Sequence, residues 1–437
     1  MTEIISILLQ FLIFLIIFSF PFNNRLLCSV LNLKNGSLNL TDVQAINIIF
    51  FIYLSLIVSI SGLNIELFFK IYLFFSIIFI LINFKKNIII INKSNLLKFL
   101  SFFLISISIF FFIAQNLKLE WDGHVWIQKA LIFFNNENIS NLNQTVHSDY
   151  PHLGSFIWAF FWKNSLLEYE FFGRYFNVYL YVISIFLIFN ISNIKDFNFK
   201  IIFILFLILI TFEPYYFAGY QEYLIFSTLV IASRYILLLG LSNFKNTKLI
   251  ILIILILFLN CWFKNEGKAY FLIFTFPLLF MINISNYKKL LLIFLVSSLL
   301  VVQYLVQLYL IQNYNSTGSD IIVNFFQNIG EIKLLIIKIF KISIHIVIAF
   351  IKHSLWLVIL LSFLFNKLIS KKIDFYSRYF LICFGLNMLL IFFVYISLNN
   401  IDFFLKVTLD RVIFQTSGFY ITIFILVLNK FKDKFYK

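Results

Sequence analysis

Leu249-Ile-Ile-Leu-Ile-Ile-Leu-Ile-Leu-Phe-Leu-Asn-Cys-Trp-Phe263 carries no charge, and it runs into Lys264-Asn-Glu-Gly-Lys268 before a second apolar run opens at Ala269. Lipid offers no hydrogen bonds to a backbone, so such a run crosses a bilayer as a helix, and about 20 residues reach across a ~30 Å core. Comparable runs recur along the chain. They centre on residues 4–20, 45–61, 65–83, 97–114, 173–192, 199–213, 222–240, 248–263, 269–286, 288–311, 342–366, 379–398 and 412–429. Of the 437 residues, 62% are hydrophobic and 12% charged, with 62 Phe against 4 Pro. A soluble domain is nearer half apolar and a quarter charged, and a disordered chain is more polar still. The chain therefore reads as all-α: a polytopic integral membrane protein of about thirteen transmembrane helices, with two extracytoplasmic loops carrying amphipathic helices. The first run lacks a basic flank, having Thr2 and Glu3 before it, and reads as a span rather than a signal peptide.

The net charge of +15 belongs to topology rather than to nucleic acid, because Lys and Arg collect at cytoplasmic loops. Placing the tail Lys430 to Lys437 inside puts Lys367, Lys371, Lys372 and Arg378, then Lys288 and Lys289, Lys245 and Lys248, and Lys85, Lys86 and Lys93 inside as well. Of the 19 acidic residues only Asp42, Asp196, Asp374 and Asp433 then face the cytoplasm. Acidic residues do not set orientation, so their gathering on the other face points to extracytoplasmic chemistry. Three blocks follow: membrane spans over 1–94, a core over 95–311 with a large outer loop at 115–173, and spans over 312–437 with an outer loop at 312–341. Val125 to Phe134 and Ile321 to Phe340 are the amphipathic stretches of these loops. Cys28, Cys261 and Cys383 lie far apart without a CxxC pair, so neither a zinc site nor a disulfide framework is indicated.

Ionisable residues concentrate at a few places. Glu120-Trp-Asp-Gly-His124 opens the first outer loop, followed by Lys129. Asp122 either caps a helix beginning near His124 or serves as a general base. His147-Ser-Asp-Tyr-Pro-His152 marks a turn in which Tyr150 and His152 can touch substrate, and its metal-ligand spacing is weak. Tyr220 and Glu222 stand at the entry to one span. Lys264 and Glu266 form either an ion pair or part of a substrate cavity, and Arg411, beside Asp410, either snorkels to headgroups or grips phosphate. Walker A, GxGxxG, HExxH and GxSxG motifs are all missing, which removes support for nucleotide-driven pumping, zinc proteolysis and hydrolase-elbow chemistry.

In this order the motifs resemble the multi-spanning glycosyltransferases of the GT-C class, in the branch of protein O-mannosyltransferases and bacterial lipid- and polysaccharide-modifying enzymes. The likeness rests on Asp122, Trp126, Lys129 and Ala130, then Tyr150-Pro-His-Leu-Gly154, Gly219-Tyr220, Lys264-Asn-Glu-Gly267, and Asp410-Arg411 with Gln415. Relatives often carry adjacent carboxylates at the first site, whereas here Gly123 follows Asp122. The resemblance implies inverting transfer of a sugar from a polyprenyl-phosphate donor to a hydroxyl of a glycan, lipid or protein. In that reaction Asp122 is the base, while Glu120, His124, Lys129, Tyr150, His152, Tyr220, Glu222, Lys264, Glu266 and Arg411 hold substrate. It implies no cofactor, and a divalent cation beside the phosphate is compatible but not indicated. The competing expectations are a polyprenyl-linked glycan polymerase or ligase, a flippase or transporter, and a scaffold without chemistry. Asn313 to Glu331 lacks the Arg and His of the first, and only Lys70 and Arg234, with His345 and Lys352 nearby, are candidates for the mid-span charges that the second requires.

Overall fold

The computed structural model describes residues 2–34, 36–85, 93–192, 197–310, 318–369 and 374–435. Lys86, Asp196, Gln312, Asn313, Lys371, Lys372 and Lys437, which mark topology or loop bounds in the sequence, lie outside the described residues. Among those described the chain is all-helical, and eight helices are long and apolar enough to cross a membrane. It divides into two compact units with interleaved segments: Met1–Leu187, Glu213–Leu224 and Leu305–Asn313 form the first, and Ile188–Phe212, Ile225–Tyr304 and Tyr314–Lys437 the second.

The first unit contains α1 (Thr2–Ile17), α2 (Asn24–Val30), α3 (Leu40–Ser61), α4 (Ile65–Lys85), α5 (Lys93–Asn116), α6 (Trp121–Phe134), α7 (Leu153–Lys163) and most of α8 (Phe171–Ile191). Polar residues set the helix starts: the Asn23 side chain accepts from the Leu26 amide, and Asp42 accepts from the Asn39 amide. Apolar burial gives little drive between helices in lipid, so shape must hold them together. Interlocked rings supply it. Phe14 of α1 meets Phe161 of α7 at 4.3 Å, Phe161 meets Phe176 of α8 at 5.3 Å, and Phe51 of α3 meets Phe160 at 5.1 Å.

After α8 come α9 (Phe197–Thr211), α10 (Glu222–Gly240), α11 (Thr247–Phe258), α12 (Asn260–Phe263), α13 (Glu266–Met281), α14 (Asn286–Leu310), α15 (Gly318–Gly330), α16 (Ile332–Lys352), α17 (Ser354–Ile369), α18 (Phe375–Ser397), α19 (Ile401–Val407) and α20 (Leu409–Phe435). In the second unit α20 packs on α17, and Phe274 stacks on Phe419 at 4.0 Å. Pro277 lies inside α13 and cannot donate to the Ile273 carbonyl one turn back. The Cys383 thiol of α18 takes that carbonyl instead, at 3.5 Å. Lys338 likewise donates to the Ile396 and Leu398 carbonyls at the end of α18, each at 2.9 Å, satisfying acceptors that no further helical turn can reach.

Three expected spans and stretches are divided. The 248–263 run stops at Phe258 and resumes as the short α12, because the Asn260 side chain donates to the Leu257 carbonyl and accepts from Thr228. The 342–366 run is two helices, α16 and α17, parted at His353, whose backbone is extended. Ile321 to Phe340 is not one interfacial helix: α15 ends at Gly330 and Glu331 begins α16, which continues for 21 residues.

Candidate functional site

In the first unit the Asp122 segment is held by backbone. Helix α6 starts at Trp121 with Glu120 in the capping position, so Asp122 sits in the first turn and is not the cap. The Glu120 amide donates to the Ala218 carbonyl at 3.3 Å. A Cβ on Gly123 would lie 2.4 Å from the Ala218 oxygen, and one on Gly219 would lie 2.8 Å from the Gly123 Cα. Gly219 also has φ +93°, a conformation that favours glycine. Two chain segments thus touch where neither has room for a side chain. The same contact explains why no second carboxylate follows Asp122.

Arg174 closes the arrangement. Buried at the start of α8, it pairs with Glu170 at 3.0 Å and donates to the carbonyls of Leu117 and Phe217. One guanidinium therefore ties the strand of chain entering α6 to the turn that meets Gly123. Burial pushes the Glu170 carboxyl up, and Arg174 opposes that shift. Sequence reasoning passed over this pair, although the Glu170/Arg174 spacing of one helical turn at a span entry was the available signal.

Lys129 is fully buried and donates to the carbonyls of His147 (2.6 Å) and Tyr150 (2.8 Å), with Trp126 and Tyr150 rings 5.5 and 5.8 Å from its nitrogen. Burial lowers its pKa to about 7, and the charge of Asp149 works against that. Its geometry pins the 147–150 turn to α6. His152, also buried, shares a 2.9 Å hydrogen bond with Ser59 of α3 and is pushed down to about 3, by burial first and then by Lys129. His124 is exposed, Tyr150 is half-buried, and Trp121 is 82% exposed beside Asp122. The Tyr220 hydroxyl bonds that of Tyr215, while Glu222 is buried in the first turn of α10.

The second unit builds a separate cluster from side chains. Lys264 is buried and Glu266 half-buried at a tight turn, where a Cβ on Gly267 would lie 1.8 Å from the Asn260 oxygen. Tyr395, missed because it reads as one more aromatic in an apolar run, bonds Thr408 at 2.7 Å and feels the charges of Glu266, Arg411 and Asp410. The structure thus brings Glu266 and Arg411 to one mouth, and Asp410 there pairs with Lys352. Gln415, one turn deeper in α20, accepts from Tyr270 at 3.0 Å. Among the described residues no group of three or more His, Cys, Asp and Glu side chains could hold a metal ion. No protein-family model matches the chain, and no curated protein or solved structure matches it either.

Proposed function

We propose that this multi-pass membrane protein is a glycosyltransferase that moves a sugar from a polyprenyl-phosphate donor to a hydroxyl of a glycan, lipid or protein acceptor on the extracytoplasmic face. The observation that carries the proposal is the Asp122 carboxylate, half-buried in the first turn of α6 and fixed by the Gly123–Gly219 contact and the Arg174 bridge. A base is useful only when held at a set distance from the hydroxyl it deprotonates, and a rigid backbone clasp provides that. Asp122 takes the acceptor proton as the hydroxyl attacks the anomeric carbon, and a single displacement inverts that centre.

A phosphate leaving group is a weak base, so what helps it depart is a cation rather than a strong acid. Arg411 presents a fork of donors suited to phosphate, with Lys264 at the neighbouring turn, so the second unit offers an anion-binding group of its own. Glu120, His124, Tyr150, Tyr220, Glu222 and Glu266 are assigned to sugar hydroxyls, while Lys129 and His152 shape the loop that carries them. A donor anchored by its own lipid needs no nucleotide loop. About thirteen crossings, with residues 115–173 outside, belong to the same proposal.

The test is turnover of radiolabelled polyprenyl-phosphate sugars in proteoliposomes with added glycan acceptors. Release of polyprenyl phosphate with a new, inverted glycosidic bond is the expected result. A labelled lipid that crosses the bilayer with its sugar still attached would instead make the protein a flippase.

A further inference from the structure

The second unit buries a line of neutral polar side chains that the proposed chemistry leaves unused. Beyond the mouth at Thr408 and Arg411, Gln415 of α20 accepts from Tyr270 of α13. Next, Asn387 of α18 donates to Thr416 at 3.1 Å. A turn further along α20, Tyr420 stands beside Cys383 and Tyr270. Gln415, Asn387, Thr416, Tyr420, Tyr270 and Cys383 are all fully buried. The Gln415 amide nitrogen, the Asn387 amide oxygen and the Tyr420 hydroxyl have no hydrogen-bond partner among the described residues.

Polar groups of this kind are costly to bury dry, most of all at membrane depth. Three of them, two on adjacent turns of α20 and one on α18 beside Thr416, supply both a donor and acceptors and match what an internal water needs, which is two to four polar partners. From Thr408 to Tyr420 the rise of α20 is about 18 Å, roughly half a bilayer. We propose that α13, α18 and α20 enclose a file of internal waters leading from the Glu266–Arg411 mouth inward to Tyr420. None of the side chains named along it beyond the mouth carries a charge at neutral pH, so the file takes water rather than an ion. It forms whether or not the chain transfers sugar.

Radiolytic hydroxyl-radical footprinting of the full-length protein in nanodiscs tests this, because radicals born from bound water oxidise the side chains that touch it. Tyr420 is expected to oxidise severalfold faster than Tyr235 of α10, and Cys383 faster than Cys261 of α12, each pair being equally buried. Oxidation of Tyr420 no faster than Tyr235, with Cys383 no faster than Cys261, would overturn the proposal. In the double variant Asn387→Leu, Gln415→Leu the Tyr420 rate is expected to fall to the Tyr235 level. Gln415→Met alone, a milder change, is expected to lower it in part, which keeps the test open if the double variant does not fold. An unchanged Tyr420 rate in either folded variant would show that no water anchored at these groups supplies the oxidant.

Discussion

The two clusters of ionisable residues are held in opposite ways. Around Asp122 the contacts are backbone to backbone or cation to carbonyl, and their cations are buried: Arg174 on Leu117 and Phe217, Lys129 on His147 and Tyr150. At Arg411 the neighbours are side chains, and although Lys264 and Tyr395 are buried, the Lys352–Asp410 pair is open, its lysine 64% exposed. A backbone clasp fixes a group in place, whereas paired side chains can rearrange when an anion arrives. The first arrangement holds its groups at fixed positions, and the second leaves its ion pair free to exchange partners.

The largest expected effect breaks the clasp. Arg174→Ala removes a buried cation, leaving half-buried Glu170 unpaired and two carbonyls abandoned, and should cost about 3–5 kcal/mol, read as a lowered denaturation midpoint in detergent. Loss of less than the value of a surface ion pair would mean that the clasp does not depend on Arg174. Gly123→Ala comes next, at about 1–3 kcal/mol, because the new methyl must displace the Ala218 carbonyl. Thermal unfolding that matched the wild type would show that the segments part freely.

A pH titration sharpens the contrast. His152 is held near 3 in the folded chain and returns to about 6.5 when unfolded. The unfolded state therefore binds more protons between those values, and stability should fall as the pH drops from about 6.5 toward 3. The same reasoning for Lys129, lowered to about 7, has stability rising from pH 7 toward 10.5. Replacing His152 with Gln should flatten the acid limb while leaving the alkaline one. An acid limb that survives the replacement would place its origin elsewhere.

The smallest effect lies in the other cluster. Lys352→Ala should change stability by less than about 1 kcal/mol, and the difference should shrink in high salt. A larger, salt-insensitive loss would mean that this mouth is as rigid as the Asp122 clasp.

Membrane class was legible because uncharged runs admit no other backbone solution. Helix breaks were less so. Neither Leu259 nor His353 is flanked by Pro or Gly, and the break at the first depends on Asn260 reaching Thr228 across the bundle. Asp122 could be picked out as the carboxylate opening a loop, but its capping role could not be decided, since the helix start rests on Glu120 meeting Ala218 far along the chain. Gly123 read as a departure from pattern until its contact with Gly219 supplied the steric reason. Lys129 drew notice as a charge, while its use as a loop pin depends on where two carbonyls point.

The most direct measurement of the central claim compares donor consumption by wild type, Asp122→Asn and Asp122→Glu in proteoliposomes, with folding of each checked by thermal unfolding. Asn keeps the shape and removes the base, so turnover should fall by about 10²–10⁴-fold with little change in unfolding temperature, and Glu should restore part of it. Wild-type turnover in a folded Asp122→Asn protein would contradict the account and move the base to another carboxylate.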